Sequence, residues 1–309
     1  MSEKETMTQE TIEKKTIIKE AITKDMLAPE IVEIEHVKGI MADMHVHSGH
    51  SNDSTCPMED MVQAQMARGT KIMAFTDHFH IIHYPEFDIF EPIKNSCTEA
   101  AELAKKYAEQ CRILTGVEVG ERMWYPEAWD KMKEMCQYDV VIGSVHLVRH
   151  PGYEDYYSRM KFSEMPKDEI YKYMDHYFDD MMEMIETLDF DILAHLTCPL
   201  RYITGYHHVE IDLSVFEEKI TKILARIIEK NIAFEVNTSS YDILGDWMPT
   251  KEIVRKYYEM GGRMVTLGSD AHVTKNASVY FEEAIADLKE IGFTHIYYYK
   301  GRRPYPISI

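Results

Sequence analysis

Cysteine is scarce and poorly placed for building structure. The 309 residues hold five, Cys56, Cys97, Cys111, Cys136 and Cys198, an odd number with no CxxC pair. That pattern argues against a disulfide framework and against a cysteine-built zinc finger, and it predicts reduced thiols in a cytoplasmic protein. Apolar runs of 18 residues are also absent, which excludes a membrane-spanning helix. The first residues, MSEKETMTQETIEKK, have no apolar core, so no export signal is expected. Positive charge is in deficit: 34 Lys and Arg stand against 53 Asp and Glu, a net charge of -19, with no long basic run. Binding nucleic acid by counterion release needs the opposite sign, so a nucleic-acid partner is disfavoured. No internal repeat is visible.

What is present is a large apolar fraction, 45%, distributed in a regular alternation. Residues 1–38 are rich in Glu, Lys and Thr and read as a polar leader, flexible or partly helical, with some helical periodicity over 16–28. From residue 39 to 309 the chain reads as one domain. Short apolar runs predict strands at 40–48, 71–78, 112–120, 140–148, 192–198, 233–239 and 264–272, and HIYYYK at 295–300 reads as an eighth, terminal strand or closing arm. Helical stretches are predicted near 57–69, 96–110, 126–137, 167–188, 213–230, 249–261 and 278–292. Strands alternating with helices of this length imply βα units and a parallel α/β sheet. Three connections, 79–95, 149–166 and 199–212, are long and leave the same ends of the strands, so they should rim a site. The Tyr-rich middle one has the composition of a lid or substrate wall. The Met and Tyr abundance of 156–184 reads as helix packing, and the acidic cluster 178–191 as a solvated helix face.

Six of the seven strand runs end in residues that bind metals. They carry His45 and His47, Asp77 and His78, Glu118, His146, His195, and Asp270 with His272; the seventh, 233–239, ends in Asn237, Thr238 and Ser239. Ends of parallel strands converge on one mouth of a barrel, where such folds do chemistry. His, Asp and Glu there suit borderline and hard divalent ions. In the HxH pair the two-residue period of a strand turns His45 and His47 to one face, and Asp43 shares that face as a supporting carboxylate. A carboxylate inside an apolar strand, as Glu118 is, costs free energy unless it is paired or metal-bound. Taken singly, HxH also fits an edge strand, TDH a helix cap, and a lone strand-end His a satisfied core residue. Six such sites in strand order, with helices between them, are hard to obtain by chance.

The set DMHVH…D, TDH, GVEVG, GSVH, LAH and GSDAH resembles the PHP superfamily, named for polymerase and histidinol phosphatase, over roughly residues 40–303. It is most similar to the histidinol-phosphate phosphatase branch, through Pro199-Leu200-Arg201-Tyr202, an EVNTS strand and the ending Gly292-Phe293…Tyr297-Tyr298-Tyr299-Lys300…Arg302-Arg303-Pro304. The resemblance implies a distorted (β/α)7, TIM-like barrel around three divalent ions. It implies His45, His47, Glu118 and Asp270 on the first, a bridging Glu118 with His146 and His195 on the second, and Asp53, His78 and His272 on the third. Zn²⁺, Fe²⁺ and Mn²⁺ all suit this mixed ligand set. Three such ions would leave about +3 over the three carboxylates, a field that suits a phosphate dianion.

The expected activity is hydrolysis of a small-molecule phosphate ester, L-histidinol phosphate foremost, with a nucleotide or sugar phosphate as the alternative. Glu118, Asp270 and His80 are the expected catalytic residues, His80 as proton donor to the leaving oxygen. Arg201 is the first choice as phosphate clamp, with Arg149, His83 and Arg122 behind it. Glu121, Asp155 and Tyr156 are candidates to meet a cationic substrate at the rim. A nucleic-acid-processing module and a non-catalytic scaffold are the competing classes; charge disfavours the first, and nine filled ligand positions the second.

Overall fold

The computed structural model describes residues 41–309, apart from Arg122, Met123 and Glu154. The leader and its periodic segment 16–28 lie outside the described residues, as does Arg122. Seven parallel strands form a nearly closed barrel in the order β1 (Met41–Val46), β2 (Thr70–Phe75), β4 (Arg112–Gly120), β5 (Val140–Ser144), β6 (Ile192–Leu193), β7 (Ala233–Asn237) and β8 (Val265–Gly268). A short β3 (His78–His80) continues from β2 and pairs with the second half of β4, His78 opposite Glu118. The strands are mostly apolar because a parallel sheet under helices is buried on both faces. Ile72, Met73, Ala74 and Phe75, for example, are all buried.

The barrel closes at its ligand-bearing rim. Asp270 N donates to His45 O at 2.8 Å and His47 N to Ala271 O at 3.0 Å, beside a parallel bridge between Val46 and Ala271. Joining the first strand to the turn after the last brings residues more than 220 positions apart into one site.

Helices wrap the outside: α1 (Met58–Ala67), α2 (Phe90–Lys106), α3 (Pro126–Met132), α4 (Lys167–Thr187), α5 (Glu217–Lys230), α6 (Tyr241–Leu244), α7 (Lys251–Glu259) and α8 (Phe281–Ile291). Helix α5 shows why. Ile220, Ile223, Leu224 and Ile227 recur at helical spacing and are buried, each contributing about 1.5–3 kcal/mol of apolar transfer. Asn231 then ends the helix in a left-handed conformation, φ 56°. In α4, Tyr173, Met174, Tyr177, Met181 and Met184 are fully buried, as expected of packing residues.

Two expectations need correction. The run 295–300 is a strand, β9 (His295–Lys300), but it does not join the barrel. Gly301 and Arg302, both at positive φ, reverse the chain at once, and β9 pairs antiparallel with β10 (Arg303–Ser308). Arg302 anchors this hairpin opposite the ligand rim: its amide donates to Asp139 O at 2.9 Å and its guanidinium pairs with Asp191. The acidic cluster 178–191 is not wholly a solvated face. Asp180 and Asp191 are buried, because each carboxylate satisfies a backbone amide, that of Arg149 and that of Val141.

Candidate metal centre

Glu118 is the hub. It projects from near the C-terminal end of β4 into the barrel mouth and is wholly buried. Its Oε2 lies 2.7 Å from His78 Nδ1, 3.3 Å from His45 Nε2 and 3.5 Å from His47 Nε2. Its Oε1 lies 3.0 Å from His195 Nε2 and 3.2 Å from His146 Nε2. Asp270, from the turn after β8, adds a carboxylate oxygen 3.2 Å from His47 Nε2 and 3.8 Å from His45 Nε2. At the outer side His78 Nε2, His272 Nε2 and Asp53 Oδ2 form a triangle with edges of 3.3, 3.3 and 3.4 Å. Ligands at about 2.0–2.1 Å from a tetrahedral divalent ion are separated by about 3.3 Å. These separations therefore match cation ligation. The nine residues expected as ligands all meet in this one cluster.

The imidazoles are oriented to offer lone pairs. His45 Nδ1 donates to Glu235 Oε1 at 2.6 Å, His47 Nδ1 to Ser51 Oγ at 3.0 Å, and His272 Nδ1 to the Asp270 carbonyl at 2.9 Å. Each bond engages Nδ1 and turns Nε2 inward, the arrangement of metal-binding histidines. Consistent with this, His45 Nε2, His47 Nε2 and Glu118 Oε2 are buried without a hydrogen-bond partner. Such groups are costly in a protein interior unless a cation satisfies them.

The electrostatics agree. Burial alone would raise the Glu118 carboxyl, yet His45, His78 and His146 hold it well below the usual carboxylate range. Asp270 is likewise held down against burial, chiefly by His45 and His47. The His47 imidazole moves the other way, to about 3, through burial and the neighbouring His272 and His78. The centre thus keeps its carboxylates anionic and one of its rings neutral.

A layer behind the ligands holds them. Asp77, buried, accepts from Ser48 N at 2.7 Å, Ser48 Oγ at 2.8 Å, Ser51 Oγ at 2.7 Å and Ser96 Oγ at 2.6 Å. Ser51 Oγ also receives the His78 amide at 3.1 Å, so one serine couples His47, His78 and Asp77. Asp43, expected to support a ligand, does so through the backbone, receiving the His45 amide at 3.3 Å with the Ser269 amide at 3.0 Å and the Gln65 side chain at 2.6 Å. It braces backbone, and Glu235 supports the His45 ring. Glu235 was not singled out in the sequence. Its signal, an acidic residue inside the buried run AFEVN, is the same as that of Glu118. Gly268 makes room for it: a Cβ there would meet the Glu235 carboxylate and stand 2.7 Å from His45 Cβ. Two of the rim residues have left-handed backbone, Asp270 at φ 50° and His195 at φ 21°.

A cavity of about 310 Å³ opens over the centre, lined by His78, His146, His195, Asp270, His272, Tyr156, Tyr157, Arg159 and Arg201 among others. The Tyr-rich connection thus supplies a wall, as its composition suggested. Arg201 reaches the cavity floor, pairing with Ser239 Oγ, and its Nη2 stands 3.8 Å from Asp270 Oδ2. Arg159, not singled out in the sequence, has its guanidinium 5.4 Å from the Tyr156 ring. His80 lines this cavity and a second one of about 300 Å³; burial and the neighbouring His78 push its imidazole down to about 4, so it is neutral near pH 7. His83 belongs to the second cavity, beside Phe87, and its Nε2 meets the Tyr156 hydroxyl at 3.0 Å.

Three rim assignments fail on geometry. Arg149 turns away from the cavity: its guanidinium pairs with Glu183 on α4 and its amide with Asp180. Glu121 is no rim carboxylate. It is wholly buried, receiving the His146 amide at 2.6 Å and the Leu147 amide at 3.1 Å. Asp155 is exposed and stands 3.6 Å from Arg159, and it is not among the residues lining either cavity.

Comparison with known proteins adds four findings. The PHP domain pattern matches residues 43–239. The chain is 27% identical over 272 residues to the "Probable histidinol-phosphatase" of Clostridium acetobutylicum, covering 85% of this chain and 98% of that protein. It is 23% identical to the "Histidinol-phosphatase" of Lactococcus lactis over 84% of this chain and 95% of that one. The fold superposes on the crystal structure of a Lactococcus lactis histidinol phosphate phosphatase complexed with zinc, L-histidinol and phosphate, with a TM-score of 0.69 at 21% identity, covering 85% and 98% of the two chains.

Proposed function

The chain belongs to the PHP domain family, and on that premise we propose that it is a metal-dependent phosphomonoesterase that hydrolyses L-histidinol phosphate to L-histidinol and phosphate. The observation that carries this reading is the set of imidazole Nε2 atoms turned inward around Glu118, beside a cavity that holds Arg201. The similarity to histidinol-phosphatases along nearly their whole length supports the substrate. As ligands of three ions, zinc, iron or manganese, we assign His45, His47, Glu118 and Asp270; Glu118, His146 and His195; and Asp53, His78 and His272.

Divalent ions held by these residues would supply Lewis acidity and a water of lowered pKa. The protein's residues do the positioning. Glu118 and Asp270 remain anionic and fix the spacing of the centre. Arg201, held by Ser239, offers its planar fork to phosphoryl oxygens. His80 presents a neutral imidazole, whose N–H is a hydrogen-bond donor for the leaving oxygen. Tyr156 and Tyr157 wall the cavity and limit the water that reaches it.

The test is phosphate release from L-histidinol phosphate by protein reconstituted with Zn²⁺, Mn²⁺ or Fe²⁺, beside nucleotide, sugar and simple alkyl monophosphates. A kcat/KM at least tenfold above the other esters is expected. Similar rates on all of them would refute the substrate and leave the hydrolase.

A further inference from the structure

Strand β7 brings no candidate ligand to the centre, although its run ends in three polar residues, Asn237, Thr238 and Ser239. Glu235 and Asn237 share one face of the strand through its two-residue period, and Ser239 stands two residues further on. Their side chains join in one directional chain. Arg201 Nη2 donates to Ser239 Oγ, Ser239 Oγ donates to Asn237 Oδ1 at 2.5 Å, and Asn237 Nδ2 donates to Glu235 Oε2 at 3.2 Å. Glu235 in turn meets two candidate ligand residues, His45 at Nδ1 (2.6 Å) and His195 at its amide (2.7 Å). The orientation of the Asn237 amide is set at both ends, because its oxygen also receives the Ser239 N–H at 3.1 Å and its nitrogen faces a carboxylate. A guanidinium at one end and a carboxylate at the other polarise every link in the same sense.

We propose that Asn237 is a positioning residue that, through Ser239, holds the phosphate-binding Arg201 off the candidate ligand Asp270; the proposal rests on the reading of Arg201 as phosphate clamp. Arg201 Nη2 stands 3.8 Å from Asp270 Oδ2, and Ser239 Oγ lies 3.3 Å from the same oxygen. Ser239 has a single hydroxyl proton. Asn237 Oδ1, the nearer acceptor at 2.5 Å, takes it, which leaves an Oγ lone pair for the guanidinium and leaves Asp270 Oδ2 free for a cation. Without that acceptor the hydroxyl proton turns to Asp270, the lone pair turns away from Arg201, and the guanidinium closes on the carboxylate as a charge-assisted pair. An arginine paired in that way presents fewer N–H groups to a phosphoryl group. With the ladder in place, Arg201 Nε is buried without a hydrogen-bond partner among the described residues, so that N–H remains for the ester. The backbone of Asn237 is fixed separately. Its N–H and C=O both bond Met248, each at 3.0 Å, so its side chain can be changed without unpairing the strand end.

The experiment titrates inorganic phosphate into the full-length, zinc-loaded protein by calorimetry and measures zinc affinity of the same variants by chelator competition. Asn237→Ala and Ser239→Ala should each weaken phosphate about tenfold, the scale of one hydrogen bond to a charged group, while zinc affinity stays within about threefold of the parent. In an Arg201→Ala background neither substitution should weaken phosphate by more than about twofold further, because the ladder acts only through that guanidinium. With L-histidinol phosphate as substrate, both single variants should raise KM more than they lower kcat. Losses that multiply with that of Arg201→Ala, unchanged phosphate affinity in both single variants, or zinc affinity that falls in step with phosphate affinity would each overturn the proposal. Inorganic phosphate carries no organic group, so these outcomes do not depend on which ester is preferred; a parent protein that bound no phosphate would refute the clamp itself and the proposal with it.

Discussion

Glu235 offers the sharpest test of how the centre is held. One oxygen accepts from His45 Nδ1 at 2.6 Å, and the other from the His195 amide at 2.7 Å and the Asn237 side chain at 3.2 Å. A single buried carboxylate therefore sets the tautomer of one candidate ligand and the backbone of another. Glu235→Gln keeps the shape but replaces one acceptor oxygen with an NH2 donor, which must then face an N–H. A misdirected buried donor costs about 1–3 kcal/mol, and loss of a carboxylate behind a ligating histidine weakens metal binding about 10–100-fold, or about 1.4–2.7 kcal/mol. Glu235→Asp, shorter by one methylene, should lose the His45 contact and behave similarly. Zinc affinity measured by competition with a chromophoric chelator is the assay, with kcat/KM on L-histidinol phosphate as the second readout. Gly268→Ala should reproduce the defect from the other side, because its new methyl would occupy the space of the Glu235 carboxylate. Zinc affinity and turnover within twofold of the parent in both Glu235 variants would refute the assignment of Glu235 as the support of His45.

Other outcomes follow from the same geometry. His45→Ala and Asp270→Asn should each lower kcat by at least about 10³-fold while circular dichroism stays that of the parent, since both groups lie at the open end of the barrel; retained turnover would contradict the ligand set. Arg201→Lys should raise KM for phosphomonoesters about tenfold through loss of one charge-assisted hydrogen bond, whereas Arg149→Ala, whose guanidinium is engaged by Glu183, should stay within about twofold. Removing divalent ions with a chelator should lower the thermal midpoint by on the order of 5 °C relative to protein at a hundredfold excess of zinc over Kd, and re-addition should restore it.

Much of this protein can be read from its sequence, and the reason lies in period and burial. Each strand is a short apolar run, and a ligand residue at its end is visible because polar groups rarely terminate such runs without a partner. His45, His47, His78, Glu118, His146, His195, Asp270 and His272 stand out for that reason, and the alternation of strand and helix implies a common mouth for them. Asp53 came from the family resemblance alone, since nothing local marks an acidic residue in a loop. The tertiary structure decided what depends on partners across the barrel. Glu235 meets His45 over 190 positions, Asp43 braces Ser269 over 226, and Gly268 matters because of what lies against it. Arg149 and Glu121 resemble rim residues in sequence, yet one is drawn to α4 by Glu183 and the other is buried by two backbone amides. Periodicity is local and survives in a one-dimensional string; the pairing of side chains across strands exists only after the barrel has closed.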